Sequence, residues 1–178
     1  MHIAICGQLG AGCTEVGQSL SKKLGLKYIS SSEIVKALVA EFRESFADFE
    51  QRVKSGEVDL DMMMDGKLDE IMEKGDVMAE GRSAFMLLDE KKAFKVLLVA
   101  SKEERAKHIA EIRGITVDEA MKDIQYSDKE RKDLVERLFD KDWLDPHNYD
   151  LVVNTGSRSF DDVAQVIFKA IKTLYGNK

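Results

Sequence analysis

The chain alternates short apolar runs with longer stretches in which apolar residues recur every three or four positions. His2-Ile3-Ala4-Ile5-Cys6, Asp76-Val77-Met78-Ala79-Glu80, Phe94 to Ala100 and Tyr149 to Asn154 read as strands, and Lys27-Tyr28-Ile29 as a brief one. The run from Phe94 to Ala100 is almost continuously apolar, the pattern of a strand buried on both faces of a parallel sheet. Helical spacing fills the intervals. From Thr14 to Leu24, Val16, Leu20 and Leu24 share one face, and Gly25 is placed to end the helix. Ser31 or Ser32 can cap a helix carrying Ile34, Val35, Leu38, Val39 and Phe42. The pattern weakens from Glu44 to Gly56, where Phe46 and Phe49 suggest a short helix or turn. It resumes from Asp59 to Glu73, and Met62-Met63-Met64 is expected to be adaptable core.

Three more helices follow. Lys102 to Ile112 turns Ala106, Ile109 and Ala110 inward. Thr116 to Leu138 opens on a capping box, Thr116-Val117-Asp118-Glu119. Phe160 to Leu174 carries Val163, Val166, Ile167, Ala170, Ile171 and Leu174. Strands alternating with helices predict an α/β domain with a parallel sheet. Ligands of such sheets sit at the carboxyl ends of the strands, where Gly7, Ser30, Gly81-Arg82 and Ser101 fall.

Length and charge narrow the function classes. The 178 residues suit one domain, and the net charge of −6 argues against a nucleic-acid partner without excluding small phosphates. No apolar run is long enough to span a bilayer, and no leader sequence is evident, so no membrane partner is expected. Cys6 and Cys13 form neither a metal pattern nor a disulfide scaffold, which fits a reducing, cytoplasmic setting. The oligomeric state is not legible.

The strongest chemical signal is Gly7-Gln8-Leu9-Gly10-Ala11-Gly12-Cys13-Thr14, between the first strand and the first helix. Backbone N–H groups of such a turn, together with the helix N-terminus, cradle an anion. Gly7, Gly12 and Thr14 fit the spacing of a phosphate-binding loop, and Cys13 stands where its lysine belongs. Thr14 would offer its hydroxyl to Mg²⁺. Cys13 reads either as a small space-filling side chain or as a thiol whose pKa the helix N-terminus lowers. Glu80-Gly81-Arg82 suits metal-water and phosphate contacts, or alternatively a surface salt bridge.

Arg105, Arg113, Lys129, Arg131 and Arg137 interleave with acidic residues and mostly read as solvated helix faces, with Arg131 the one singled out for function. Asp61, Asp65 and Lys67 could face a base or ribose, though a solvated helix face is the simpler reading. His2, His108 and His147 are too scattered to propose a metal site or a catalytic histidine.

Together these residues resemble the cytidylate kinase-like branch of the P-loop nucleoside monophosphate kinases, including the archaeal-type cytidylate kinases. The resemblance is carried by Gly7 to Thr14, Val77 to Arg82, Glu104 to Ala110, Asp128 to Arg131 and, most specifically, Asp142 to Thr155. It implies a P-loop NTPase fold of three layers, α/β/α, around a five-stranded parallel sheet. One domain over residues 1–178 would carry a helical monophosphate-binding insert at about 31–74 and a helical lid at about 114–145. The implied cofactors are ATP and Mg²⁺, the implied partners small nucleotides, and the reaction phosphoryl transfer from ATP to CMP or dCMP. Gly7, Leu9, Gly10, Ala11, Gly12, Cys13 and Thr14 would hold ATP, and Thr14 and Glu80 the metal. Asp61, Asp65 and Arg82 would hold the acceptor, and Arg82 and Arg131 would stabilise the transferring group.

The sequence departs from the family's pattern at Cys13, at Gln125-Tyr126 and at Ile112, each near an expected cation. Arg113 is one residue from Ile112, but one step along a helix turns a side chain by about 100°. Two alternatives stay open: a kinase-fold protein that holds a nucleotide without turnover, and a kinase for another small acceptor such as a shikimate-like metabolite.

Overall fold

The computed structural model of the chain describes residues 1–176. Its elements run β1 (His2–Gly7), α1 (Cys13–Leu24), β2 (Lys27–Ser30), α2 (Ser31–Phe42), α3 (Phe46–Lys54) and α4 (Leu60–Glu73). They continue with β3 (Val77–Glu80), α5 (Arg82–Phe85), β4 (Ala93–Val99), α6 (Lys102–Arg113), α7 (Val117–Phe139), β5 (Leu151–Asn154) and α8 (Phe160–Tyr175). The five strands form one parallel sheet in the order β2-β3-β1-β4-β5. The α/β expectation therefore holds, and β1 lies at the centre.

Alternation along the strands divides the core into two layers. Ile3, Ile5, Met78, Phe94, Val96 and Leu98 pack against α1 and α8 through Val16, Leu20, Val163, Ile167 and Ile171. Ala4, Cys6, Val77, Ala79 and Leu97 face the other way, toward Ile34, Leu38, Met64, Leu68, Phe85, Leu134 and Trp143. A satellite cluster of Ala106, Ile109, Ala120 and Ile124 joins α6 to α7 and reaches Leu9. This satellite brings the α6–α7 hairpin to the loop after β1.

Several details differ from the sequence expectation. Ser30, rather than Ser31 or Ser32, caps α2, because Glu33 three residues on completes a reciprocal box. Ser31 is left free to accept a hydrogen bond from the Ser83 backbone N–H at 2.9 Å. Of the methionine cluster, Met64 is core, whereas Met62 is 70% exposed, because neighbouring residues on a helix point in different directions. Val166 and Leu174 are exposed as well, lying off the buried stripe of α8. Capping boxes at Ser101–Glu104 and Thr116–Glu119 start α6 and α7.

Candidate active site

β1 ends at Gly7 and the chain turns through residues 8–12 into α1. Gly12 is the N-cap at φ 84°, with no side-chain cap for the first-turn N–H groups. A Cβ there would lie 2.2 Å from the Phe160 ring, so the site combines a left-handed backbone with packing that excludes a side chain. The uncapped N–H groups of α1 border a cavity of about 270 Å³. Leu9, Gly10, Gly12, Cys13, Thr14, Glu80 and Arg131 all line it. Gly7 and Ala11 do not, Gly7 being buried at the end of β1 and Ala11 fully buried in the core beneath.

The charges around this cavity are held by burial and by each other. Cys13 packs its Sγ onto Gly7, where an added Cβ would meet it at 2.5 Å. Burial, then the nearby Glu80 carboxylate, pushes the thiol up to about 12, against the pull of Arg131. A neutral thiol results, the opposite of the lowered pKa that the helix N-terminus alone would produce. Burial also raises Glu80, while the Tyr28 and Thr14 hydroxyls and Arg131 draw it back down. The Tyr28 hydroxyl is buried within reach of this carboxylate without closing a well-aligned hydrogen bond. Arg131 is half-buried and lies along α7, where its Nη1 donates to the Ser127 carbonyl at 3.2 Å and to the Ser127 hydroxyl.

A second group of residues lies beside the first. Gly81, at φ 72°, turns β3 into α5, and Ser31 and Ser83 pin that turn to the end of β2. Arg82 therefore projects with its Nη2 3.3 Å from Asp61 Oδ1. Asp61 also accepts from Arg137 Nη2 at 2.5 Å. Its side chain is only 11% exposed, so it is not part of a solvated helix face. Arg82 borders two cavities. One, of about 250 Å³, it shares with Tyr126, Ser127 and Arg131. The other, of about 390 Å³, is lined by Ser31, Ser32, Val35, Lys36, Phe46, Leu60 and Met64. Three cavities thus follow one another, with Arg131 common to the first two and Arg82 to the last two.

Not every singled-out residue joins this arrangement. Asp65 is exposed and lines a separate cavity of about 330 Å³ with Asp59, Asp61 and Phe139. Partial desolvation at the cavity wall, and then Asp69, raises its carboxyl above the usual range. Lys67 turns away to Glu41 and Glu70. Ile112 and Tyr126, 57% and 69% exposed, border the first and second cavities but supply no cation, and Arg113, which also borders the first, pairs with Asp123 at 2.5 Å. A larger cavity, about 610 Å³, lies by His2, Asp69, Glu73 and Lys91 at the opposite ends of the strands. Sheets of this type bind ligands at the carboxyl ends, so the smaller cavities are the relevant ones.

Four residues escaped the sequence reading. Arg105 is 1% exposed rather than solvated. Arg137 reaches Asp61, which lies 76 residues away in the chain. His108 Nε2 lies 3.2 Å from Glu15 Oε1, and its ring packs edge-on against Phe160 at 4.9 Å. Tyr28 stands beside Glu80. His108 lies in the segment Glu104 to Ala110 that carries the family resemblance, and nothing local to it shows its partners Glu15 and Phe160.

A glycine loop between the central strand and a helix, in a parallel sheet of order 2-3-1-4-5, defines a P-loop kinase fold. The chain belongs to the cytidylate kinase-like family, whose model matches residues 2–157. It is 31% identical to a cytidylate kinase of Methanopyrus kandleri, over 97% of this chain and 93% of that one. A cytidylate kinase of Methanocorpusculum labreanum is 29% identical over 98% of both chains. Among solved structures, an uncharacterized protein from Eubacterium ventriosum superposes with a TM-score of 0.76 at 21% identity, covering 97% of this chain and 98% of that one. A shikimate kinase from Acinetobacter baumannii in complex with shikimate gives 0.62 at 18% identity, over 98% and 94%. These similarities support a kinase-type phosphotransferase.

Proposed function

We propose that the protein is an ATP-dependent nucleoside monophosphate kinase that transfers a phosphoryl group to CMP or dCMP. The observation that supports this reading most is the succession of cavities bridged by Arg131 and Arg82. A donor phosphate at the glycine loop and an acceptor phosphate at Arg82 would then meet in the space that both arginines border. Backbone N–H groups of residues 9–14 would bind the ATP phosphates, and Arg82 the acceptor phosphate through its planar fork. Asp61 would hold Arg82 in place, and the apolar wall with Ser31, Ser32 and Lys36 would take the nucleoside. Asp65 would contribute only at the margin.

Thr14 and Glu80 offer oxygen donors suited to a hard divalent cation, and so fit Mg²⁺. Bound there, Mg²⁺ would supply neutralisation of phosphate charge. Arg131 would add positive charge to the transferring group, a task in which an arginine can contribute about 10³ to 10⁵ in rate. Residues 31–74 would act as the acceptor insert and 114–145 as the lid that excludes water. A cytoplasmic setting matches these substrates, and no helix among the described residues is long and apolar enough to cross a membrane.

A second reading rests on Cys13. Its neutral thiol leaves the loop without the usual cation, which favours a protein that holds nucleotide without turnover. A coupled assay of ATP consumption separates the two. The panel should include CMP, dCMP, other monophosphates and hydroxyl acceptors such as shikimate. Turnover with CMP or dCMP supports the kinase reading, turnover only with a hydroxy acid moves the acceptor class, and binding without any turnover leaves the second reading.

A further inference from the structure

Arg105 is the largest fully buried side chain in the protein, among the described residues, and the chemistry above does not use it. It sits on α6 with its guanidinium between two elements that carry functional groups. Nη1 donates to the Leu9 carbonyl in the glycine loop at 3.3 Å. Nη1 and Nη2 also donate in parallel to Asp128 Oδ1 and Oδ2 on α7, at 3.0 and 2.9 Å. Such a bidentate pair constrains direction as well as distance. The loop rests directly on this point of α6, since a Cβ at Gly10 would lie 2.7 Å from the Arg105 carbonyl oxygen. Arg131 follows Asp128 by three residues and so projects from the same side of α7.

We propose that Arg105 is a positioning residue that couples the glycine loop to α7, so that the loop's backbone and the Arg131 side chain are held in one fixed relation. The inference rests on the kinase reading only where it concerns turnover; the coupling itself is a property of the ligand-free chain. Displacing α7 would strand a buried guanidinium against the loop, which makes the intermediate arrangement unfavourable. Binding at the loop therefore favours the α7 position that presents Arg131, and that position in turn orders the loop.

Hydrogen exchange on the full chain tests the coupling without ligand. Asp128→Asn changes α7, yet the amides of residues 9–12 should exchange on the order of tenfold faster, inside the usual range of coupling between sites. Amides of α8 serve as the control and should not change. Loop amides that exchange as in the wild type, in a variant folded by circular dichroism, overturn the proposal. If Asp128→Asn does not fold, the double variant Arg105→Met/Asp128→Met replaces the ion pair by apolar side chains, a change that folds readily in other proteins. The same loosening of the loop is expected there, and its absence overturns the proposal equally.

Turnover then separates positioning from a merely structural role. Asp128→Asn should weaken ATP binding, because the loop it loosens is the one that would hold ATP, and should also lower kcat with CMP; the loss in kcat should vanish in an Arg131→Ala background. An equal loss in both backgrounds overturns the positioning role. A wild type with no turnover and no ATP binding sinks the kinase reading instead, and the ligand-free exchange still decides the coupling.

Discussion

Asp61 on α4 accepts a hydrogen bond from Arg137 on α7 at 2.5 Å while its other oxygen lies 3.3 Å from Arg82. One carboxylate, buried between α4, α5 and α7, therefore orients two cations. Both arginines are partly solvated, so screening limits the stability at stake. Asp61→Ala should cost about 1–3 kcal/mol by urea unfolding. It should also raise KM for the acceptor monophosphate more than KM for ATP. An unchanged acceptor KM would remove Asp61 from the site.

Arg131→Ala should lower kcat by about 10³ or more, the lower end of what a phosphate-directed arginine supplies. ATP affinity, measured by calorimetry, should fall far less, because the loop's backbone N–H groups remain. A loss confined to affinity would assign Arg131 to ground-state binding alone.

The Cys13 thiol, pushed up to about 12, should be inert where a free cysteine is not. At pH 8 its thiolate fraction is ~10⁻⁴, against roughly a quarter for an unperturbed thiol. Alkylation followed by mass spectrometry should leave Cys13 unmodified in the folded protein and modify it in urea. Cys13→Ser should retain turnover within about twofold, since neither side chain carries charge.

Glu80 is raised above its usual 4.5 by burial, so the native state binds its proton more tightly than the unfolded state. The stability this contributes is fully present below pH 4.5 and is lost as pH rises through the raised native value. Glu80→Gln removes that dependence. The variant should gain stability relative to wild type between pH 4 and pH 8 in urea titrations, and lose Mg²⁺-dependent turnover. A constant stability difference across that range would show that Glu80 is not strained by burial.

Much of the molecule is legible in the chain. Every strand and long helix lies within a few residues of its apolar pattern, and the Thr116–Glu119 box starts α7 where its residues indicate. The glycine loop is equally local, because strand, turn and helix are consecutive. Where local chemistry offered near-equal choices, neighbours settled the matter, as when Glu33 selected Ser30 over Ser31 as cap.

The charged residues behave differently. Arg105, Arg131 and Arg137 sit in stretches of alternating sign that look alike one residue at a time. Only the folded chain sets Arg105 against Asp128, Arg131 beside Cys13 and Glu80, and Arg137 on Asp61. The sequence by itself determined the sheet, its helices and the phosphate-type loop, since apolar periodicity and turn chemistry act within a few residues. Arg131 is singled out in the chain itself, and the tertiary structure alone placed the other cations, burying Arg105 against Asp128 and the Leu9 carbonyl and setting Arg137 on Asp61. Ion pairing depends on distances across the α6–α7 hairpin and between α4, α5 and α7, and burial then fixes which of those charges persist away from water.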